Sequence, residues 1–553
     1  MKVYKAVLDQ LIGAGVTYFS GMIGSTAAPY AATLADRDDV HYVGVRHEHT
    51  AASILDATAR LSGRPGCLMV HGASGFLAAS AGIASAALDS TPMFILSATQ
   101  ERRAMENGWW QTMNVQTPLR DVIKWQKRVE RPEQAVDAIR VALREAVSGK
   151  PGIAQVDMPI DVSADDLGTN DLPDPASVVT PMHRPYPDPS LVDQAAGLLR
   201  KSRRPVLLVG GGAVYSGAAS ALVKLAEFLH MPVVNSPTSR NAVPETHPLV
   251  LGPSGIVGYE PVGNAIQEAD LVIAIGSRLS DLQTARGNLL PTDAPIIQVD
   301  IDSAVIGQNY PVMIGITSDA RAFTECLNAA LSVQEFDIPA ARHDWATSLA
   351  TRITDWQQAW FDAMPHNGKV QPQEVVQALM TLPADTIFTH GAGDHGFYGF
   401  MVPVAAPGAH LVSTRLGAMG CALGLALGAK LARPDQTVIG CVGDGDFMLQ
   451  IGDLETMARE NLAAVMVVFN NFRLGSQRKR VEAYGNVMGV DHGNPDFAKL
   501  ADLFGCQGIR VDAPGQFEAA LHASIASGAP CVIDVIMDPD ARPPRIAASR
   551  EAR

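Results

Sequence analysis

Short apolar runs punctuated by glycine and proline alternate along the chain with longer stretches whose apolar positions recur every three to four residues. "PGCLMVHG", "TPMFILSAT" and "PGIAQVDMP" are of the first kind, strand-prone and bounded by turn residues. They predict strands buried on both faces. "HEHTAASILDATARLSG" and "PEQAVDAIRVALREAVSG" are of the second kind and predict amphipathic helices. Such alternation points to parallel sheets with helices on both faces, the α/β doubly wound class. It breaks twice: at the Pro- and Asp-rich stretch 166–190, and more weakly at "MPHNGKVQP" after a polar helical stretch from Trp345 to Asp362. The blocks so marked, 1–165, 186–340 and 365–553, are each of domain size. Three doubly wound parallel-sheet domains are therefore expected. No short-period repeat is present.

The amino-terminal "MKVYKAVLDQLIGAGV" mixes charges with apolar residues, unlike a signal peptide. No window offers about 18 unbroken apolar residues, so no membrane span is expected. The basic, Pro-rich tail "PDARPPRIAASREAR" reads as a loose end.

Composition narrows the classes. Of 553 residues 47% are hydrophobic and 18% charged, as in a well-packed globular protein. The net charge of −14 argues against a general nucleic-acid role, which rewards a basic surface. A bound polyanion must rely on local donors or a metal. The six cysteines, Cys67, Cys326, Cys421, Cys441, Cys506 and Cys531, are scattered singly, which predicts reduced thiols in a cytoplasmic protein.

The candidate chemistry lies between two strands. "QTVIGCV" runs into Gly443-Asp444-Gly445, "LQIGDLETMAREN" predicts a helix with Leu449, Ile451, Leu454, Met457 and Ala458 on one side, and "AAVMVVFN" predicts the next strand, ending at Asn470-Asn471. In a parallel sheet both strand ends fall at the carboxyl edge, where ligands of such sheets bind. One carboxylate and one amide oxygen form a hard donor pair suited to Mg²⁺, which fills its octahedron with phosphate and water. The glycines let amide groups approach a phosphate. Polar turns at the ends of a βαβ unit account for GDG alone; its pairing with NN across the unit favours a Mg²⁺–diphosphate clamp.

This pattern resembles the signature of thiamine diphosphate enzymes of the acetolactate synthase and benzoylformate decarboxylase kind. The resemblance implies that Asp444, Asn471 and the Arg473 carbonyl ligate Mg²⁺, and that the Gly443–Asp446 turn, through the Gly445 and Asp446 amides, holds the diphosphate. It implies that Glu48, in "RHE", serves the pyrimidine ring. Met419, in "GAMG", would support the bent cofactor, with the Gly417 carbonyl accepting from its amine. Glu48 would otherwise be a helix-start acid favoured by the macrodipole, and Met419 a core methionine.

The resemblance covers nearly the whole chain. It implies pyrimidine-binding, central and diphosphate-binding domains, and an active dimer in which one subunit supplies Glu48 and the other the metal site, tetramers being usual. The implied activity is C–C lyase or carboligase chemistry on 2-oxo acids or acyloins, through a carbanion at the cofactor's C2. Acetolactate synthase is one alternative. An oxalyl-CoA decarboxylase or hydroxyacyl-CoA lyase is another, suggested by "GFL" and "LSATQERR". His71, Ser25 and Gln111 match substrate-handling positions, although a strand-end histidine needs no such role. Trp109 and Trp110 suggest a bulky wall or plain packing. Two departures stand out. "FRLGSQRKRVEAYG" lacks the tryptophan that acetolactate synthases carry for the second ketoacid, and Asp394 in "GAGDHGFYG" would repel a diphosphate beside His395, itself a candidate contact. "GGGA" and "GSRLSD" permit FAD without requiring it. A non-catalytic relative retaining the cofactor, and a nucleotide-dependent dehydrogenase, are the readings from other classes.

Overall fold

A computed structural model describes residues 1–168, 172–174, 183–333 and 337–544. Part of the stretch expected to link the first two blocks, and residues 545–553 of the tail, lie outside them. Among the described residues eighteen strands form three six-stranded sheets in which every strand pairing is parallel.

The first sheet comprises β1 (Tyr18–Gly21), β2 (His41–Gly44), β3 (Gly66–His71), β4 (Met93–Thr99), β5 (Trp125–Arg128) and β6 (Ile153–Pro159), ordered β2-β1-β3-β4-β6-β5. The second comprises β7 (Pro205–Val209), β8 (Val233–Asn235), β9 (Val250–Pro253), β10 (Leu271–Ile275), β11 (Ile296–Asp300) and β12 (Ile314–Thr317), ordered β12-β11-β10-β7-β8-β9. The third comprises β13 (Ile387–His390), β14 (His410–Val412), β15 (Val438–Gly443), β16 (Val465–Asn470), β17 (Gln507–Val511) and β18 (Cys531–Ile536), ordered β14-β13-β15-β16-β18-β17. The central strands β3, β4, β6 and β16 are buried along their whole length, because helices cover both faces.

The first and third sheets share one topology. Each reverses its strand order beside its first strand, between β1 and β3 and between β13 and β15; the second reverses between β7 and β10. Such reversals open a crevice at the carboxyl ends of the strands. The helices that follow β2 and β14, Glu48–Ser62 and Ala422–Ala432, occupy equivalent places and pack against each other. Gly428 makes this fit possible, since a Cβ there would stand 2.2 Å from the Ile54 carbonyl oxygen.

Polar contacts tie the sheets together. Asp453 accepts from the Arg46 amide at 2.7 Å and the Thr50 hydroxyl at 2.6 Å. Arg60 pairs with Asp56 and Asp89 and donates to the Val412 carbonyl. Fully buried Arg240 pairs with Glu245, donates to the Val402 carbonyl at 2.9 Å and lies over the Phe400 ring.

Beside Arg240 two buried histidines, His390 and His410, lie with ring centroids 4.9 Å apart. Burial, reinforced by the Arg240 charge, pushes His390 down to about 3 and holds His410 far below its ordinary value. Both rings are therefore neutral in the folded chain, whereas unfolded histidine takes up its proton near pH 6.5. Their contribution is present above that pH and is lost as pH falls below it, for His390 down towards about 3. Each costs about 1.4 kcal/mol per pH unit in that window. The thermal midpoint is expected to fall steadily from pH 6.5 to 4, and less steeply in His410→Phe; equal slopes in scanning calorimetry would refute this.

The predicted helix after Gly445 is instead broken. Asp444–Phe447 is a short helix, Met448–Asp453 is a 3₁₀ turn with Gln450 out of helical geometry, and Leu454–Arg459 is helical again. Leu454 and Met457 are buried and Ile451 and Ala458 half-buried, but Leu449 is 56% exposed. The tighter turn rotates Leu449 off the shared face, and the Asp453 contacts hold the break in place. Trp109 and Trp110 are 46% and 77% exposed and so do not pack in the core of this chain. All six cysteines are free, five of them buried.

Candidate active site

The crevice between β13 and β15 is formed by the loops that follow those strands. Asp444, buried at the tip of β15, accepts from the Gly445 amide at 2.8 Å and from Asn494 Nδ2 at 2.7 Å. Asn494 Nδ2 also donates to Asn470 Oδ1 at 2.8 Å, and Asn470 Nδ2 donates to Asp534. Asn470 is thus absorbed by the sheet, while Asn471 faces the cavity with Arg473, Met419 and His395. Burial raises the Asp444 carboxyl, against the pull of Asn494 and the Gly445 amide. A group that lowers this cost would be a cation.

Asp446 does more than present its amide. Its buried carboxylate accepts from the Ala392 amide at 2.8 Å and from the Gly420 amide, joining the loops after β13, β14 and β15. Burial pushes it up to about 7. Gly391 is required beside it, because a Cβ there would lie 1.8 Å from Asp446 Oδ2. Burial brings His395 down to about 4, so its ring is neutral, and its Nε2 has no hydrogen-bond partner. Asp394 does line the cavity; burial raises its carboxyl, and Lys479 Nζ lies 3.9 Å away. Gly417 and half-buried Met419 also line the cavity.

At the equivalent crevice of the first sheet, Ser25 and Thr26 follow β1, Glu48 follows β2, His71 ends β3 and Gln111 follows β4. Glu48 opens its helix, where His47 Nδ1 caps the His49 amide. Burial raises its carboxyl, with the helix backbone, His47 and His71 opposing. His71 Nε2 meets Gln111 Oε1 at 2.9 Å and Nδ1 meets the Thr26 hydroxyl at 2.6 Å. Ser25 is exposed beside Thr26. Trp109 and Trp110 stand nearby in the chain, with Arg103 over the Trp109 ring.

The structure therefore brings Glu48, His71 and Gln111 to one edge, and Asp444, Asn471, Met419, Gly417 and His395 to another. The described residues lining the second cavity all fall within 392–541, so Glu48 of the same chain is not among them. Sequence reasoning missed Thr26, Asn494 and the carboxylate of Asp446; only Asp446 carried a signal, as the last residue of "GDGD".

A third cavity opens at the central switch point. It is lined by Gly210–Gly212 after β7, Gly276–Arg278 after β10, Lys150 and Arg415, among others.

Three family models match the chain: the thiamine pyrophosphate enzyme N-terminal TPP binding domain over 1–119, the central domain over 192–327 and the C-terminal TPP binding domain over 391–535. A probable acetolactate synthase large subunit of Methanocaldococcus jannaschii is 32% identical, over 98% of this chain and 92% of the relative. The acetolactate synthase large subunit of Corynebacterium glutamicum is 31% identical over 97% and 87%, and that of Cyanidium caldarium 28% over 96% and 92%.

Proposed function

The chain belongs to the thiamine pyrophosphate (thiamine diphosphate) enzyme family, among relatives of the acetolactate synthase kind, and on that premise we propose that it cleaves or forms the C–C bond beside the carbonyl of a 2-oxo acid or acyloin, using Mg²⁺ to hold the cofactor. The observation that carries this reading is the crevice between β13 and β15, where Asp444 and Asn471 offer hard oxygen donors beside a glycine turn. The residues fit the group. Asp444 bears a buried charge in need of a cation, and the neutral His395 ring has a nitrogen free for a phosphate oxygen or its proton.

When bound, thiamine diphosphate supplies a nucleophilic carbon and an electron sink. Asp444, Asn471 and the Arg473 carbonyl would hold the metal, and the Gly443–Asp446 turn the diphosphate. Met419 and Gly417 would shape the wall under the ring. Glu48 would hold a proton at its carboxyl for the pyrimidine, a task suited to an acid that burial keeps protonated more readily than usual. His71 and Gln111, with the exposed Ser25 nearby, would orient the substrate carbonyl and pass a proton to its oxygen.

Because Glu48 is absent from the lining of its own chain's Asp444 cavity, we propose that a second copy completes the site, in a homodimer at least and a homotetramer by family habit. We place the pyrimidine-binding, central and diphosphate-binding domains at 1–165, 186–340 and 365–553. No helix among the described residues is long and apolar enough to cross a membrane, and the free cysteines support a reducing, cytoplasmic setting.

Acetolactate synthesis is the second reading, favoured by the relatives' names. Against it, the rim helix Gly475–Glu482 offers Ser476 and Gln477 to the cavity where an aromatic acceptor wall would be needed. Incubation with pyruvate, Mg²⁺ and cofactor is expected to release CO₂, with acetolactate or free aldehyde as product separating the two readings. Inactivity on 2-oxo acids, acyloins and hydroxyacyl-CoAs alike would overturn both. The central cavity, with glycine turns and the cations Lys150, Arg278 and Arg415, suits a nucleotide diphosphate such as FAD or the nucleotide end of coenzyme A. A yellow preparation in the same assay would favour FAD.

A further inference from the structure

We propose that Thr26 is a positioning residue that fixes the tautomer of His71, leaving Nε2 as the one atom through which that ring exchanges protons; this rests on the proton-handling role of His71 proposed above. Thr26 is 1% exposed. Its hydroxyl has a single proton, donated to the Ala98 carbonyl at 2.5 Å. The same oxygen stands 2.6 Å from His71 Nδ1. A hydroxyl whose proton is already committed can only accept at that contact, so Nδ1 carries a proton.

The other side of the ring then has two states. Gln111 faces Nε2 at 2.9 Å, and by the way its amide turns it can accept a proton from that nitrogen or donate one to it. Once Nε2 gives its proton away, the neutral ring presents a lone pair there, and Gln111 answers by turning its amide to donate. The Nδ1 proton is unchanged in both states. The proton balance is therefore local: one proton leaves and returns at Nε2, and none passes through Thr26. The geometry is set by the fold, because Thr26 follows β1 and His71 ends β3, the strands between which the order reverses, and Ala98 is the register partner of His71 on β4.

The test uses the holoenzyme with thiamine diphosphate and Mg²⁺, labelled with ¹⁵N-histidine. The His71 signals are assigned by their loss in His71→Gln. At a pH where the ring is neutral, the wild type is expected to show a pyrrole-type Nδ1 and a pyridine-type Nε2. Thr26→Ser should keep that pattern and hold kcat on the 2-oxo acid within about twofold, since the hydroxyl remains. Thr26→Val should populate the opposite tautomer and lower kcat about tenfold, the worth of one buried hydrogen bond. A pyridine-type Nδ1 in the wild type overturns the proposal whether or not the valine variant folds. So does a valine variant with an unchanged ring pattern. Absence of turnover on every 2-oxo acid would instead strike the functional reading, while the ring spectrum still reports on Thr26.

Discussion

Glu48→Gln is expected to leave the fold intact and to lower turnover by about 10²–10⁴-fold, the usual worth of a positioned acid or base. The substitution keeps the side chain's size and its place at the start of the helix Glu48–Ser62. It removes that side chain's ability to hold and release a proton. The neighbouring anchors, Arg46 and Thr50 on Asp453, are backbone and hydroxyl contacts that do not involve Glu48, so the helix stays docked. Burial already raises the Glu48 carboxyl, and an amide at this position relieves that cost, so the thermal midpoint should hold or rise slightly. The check is the initial rate on the best 2-oxo acid at saturating cofactor and Mg²⁺, alongside circular dichroism. Undiminished turnover would remove Glu48 from the mechanism.

The second large effect belongs to Asp444. Asp444→Ala should weaken Mg²⁺-dependent binding of thiamine diphosphate by about 10²-fold or more, the scale for deleting one partner of a desolvated charge contact. It should also abolish the thermal stabilisation that cofactor and metal give the wild type. The protein without cofactor is expected to change little. The variant loses the acceptor for Asn494 Nδ2, but that group keeps Asn470 Oδ1, and a buried carboxylate without a cation has been removed. Titration calorimetry at fixed Mg²⁺ decides: an unchanged affinity would mean the diphosphate is held elsewhere.

Much of the architecture was legible in the sequence because fully buried parallel strands read as unbroken apolar runs. "CLMVH", "MFILSAT" and "VMVVFN" are strands in the structure, with turn residues at their ends. The carboxyl-edge placement of Asp444 and Asn471 follows from those strands alone. What could not be read are contacts that only the tertiary fold creates. His71 meets Thr26 and Gln111 across three loops, and no spacing announces it. Asn494 reaches Asp444 from a separate segment. The helix predicted through Leu449 fails because Asp453 is claimed by Arg46 and Thr50 from the first sheet, and such contacts override local periodicity. Asp394 looked misplaced beside a diphosphate, yet it does face the cavity, raised by burial and answered by Lys479, a residue far along the chain. Neither half of that arrangement is visible without the other.

One carboxylate sets a limit on how this protein can change. Asp446 pins the Ala392 and Gly420 amides together, so the segments they belong to cannot drift independently over generations. A substitution that widens one of them also disturbs the others. Parts that Asp446 does not reach, such as the Gln111 loop and the helix Gly475–Glu482, are free of this constraint and can change without pulling on the junction.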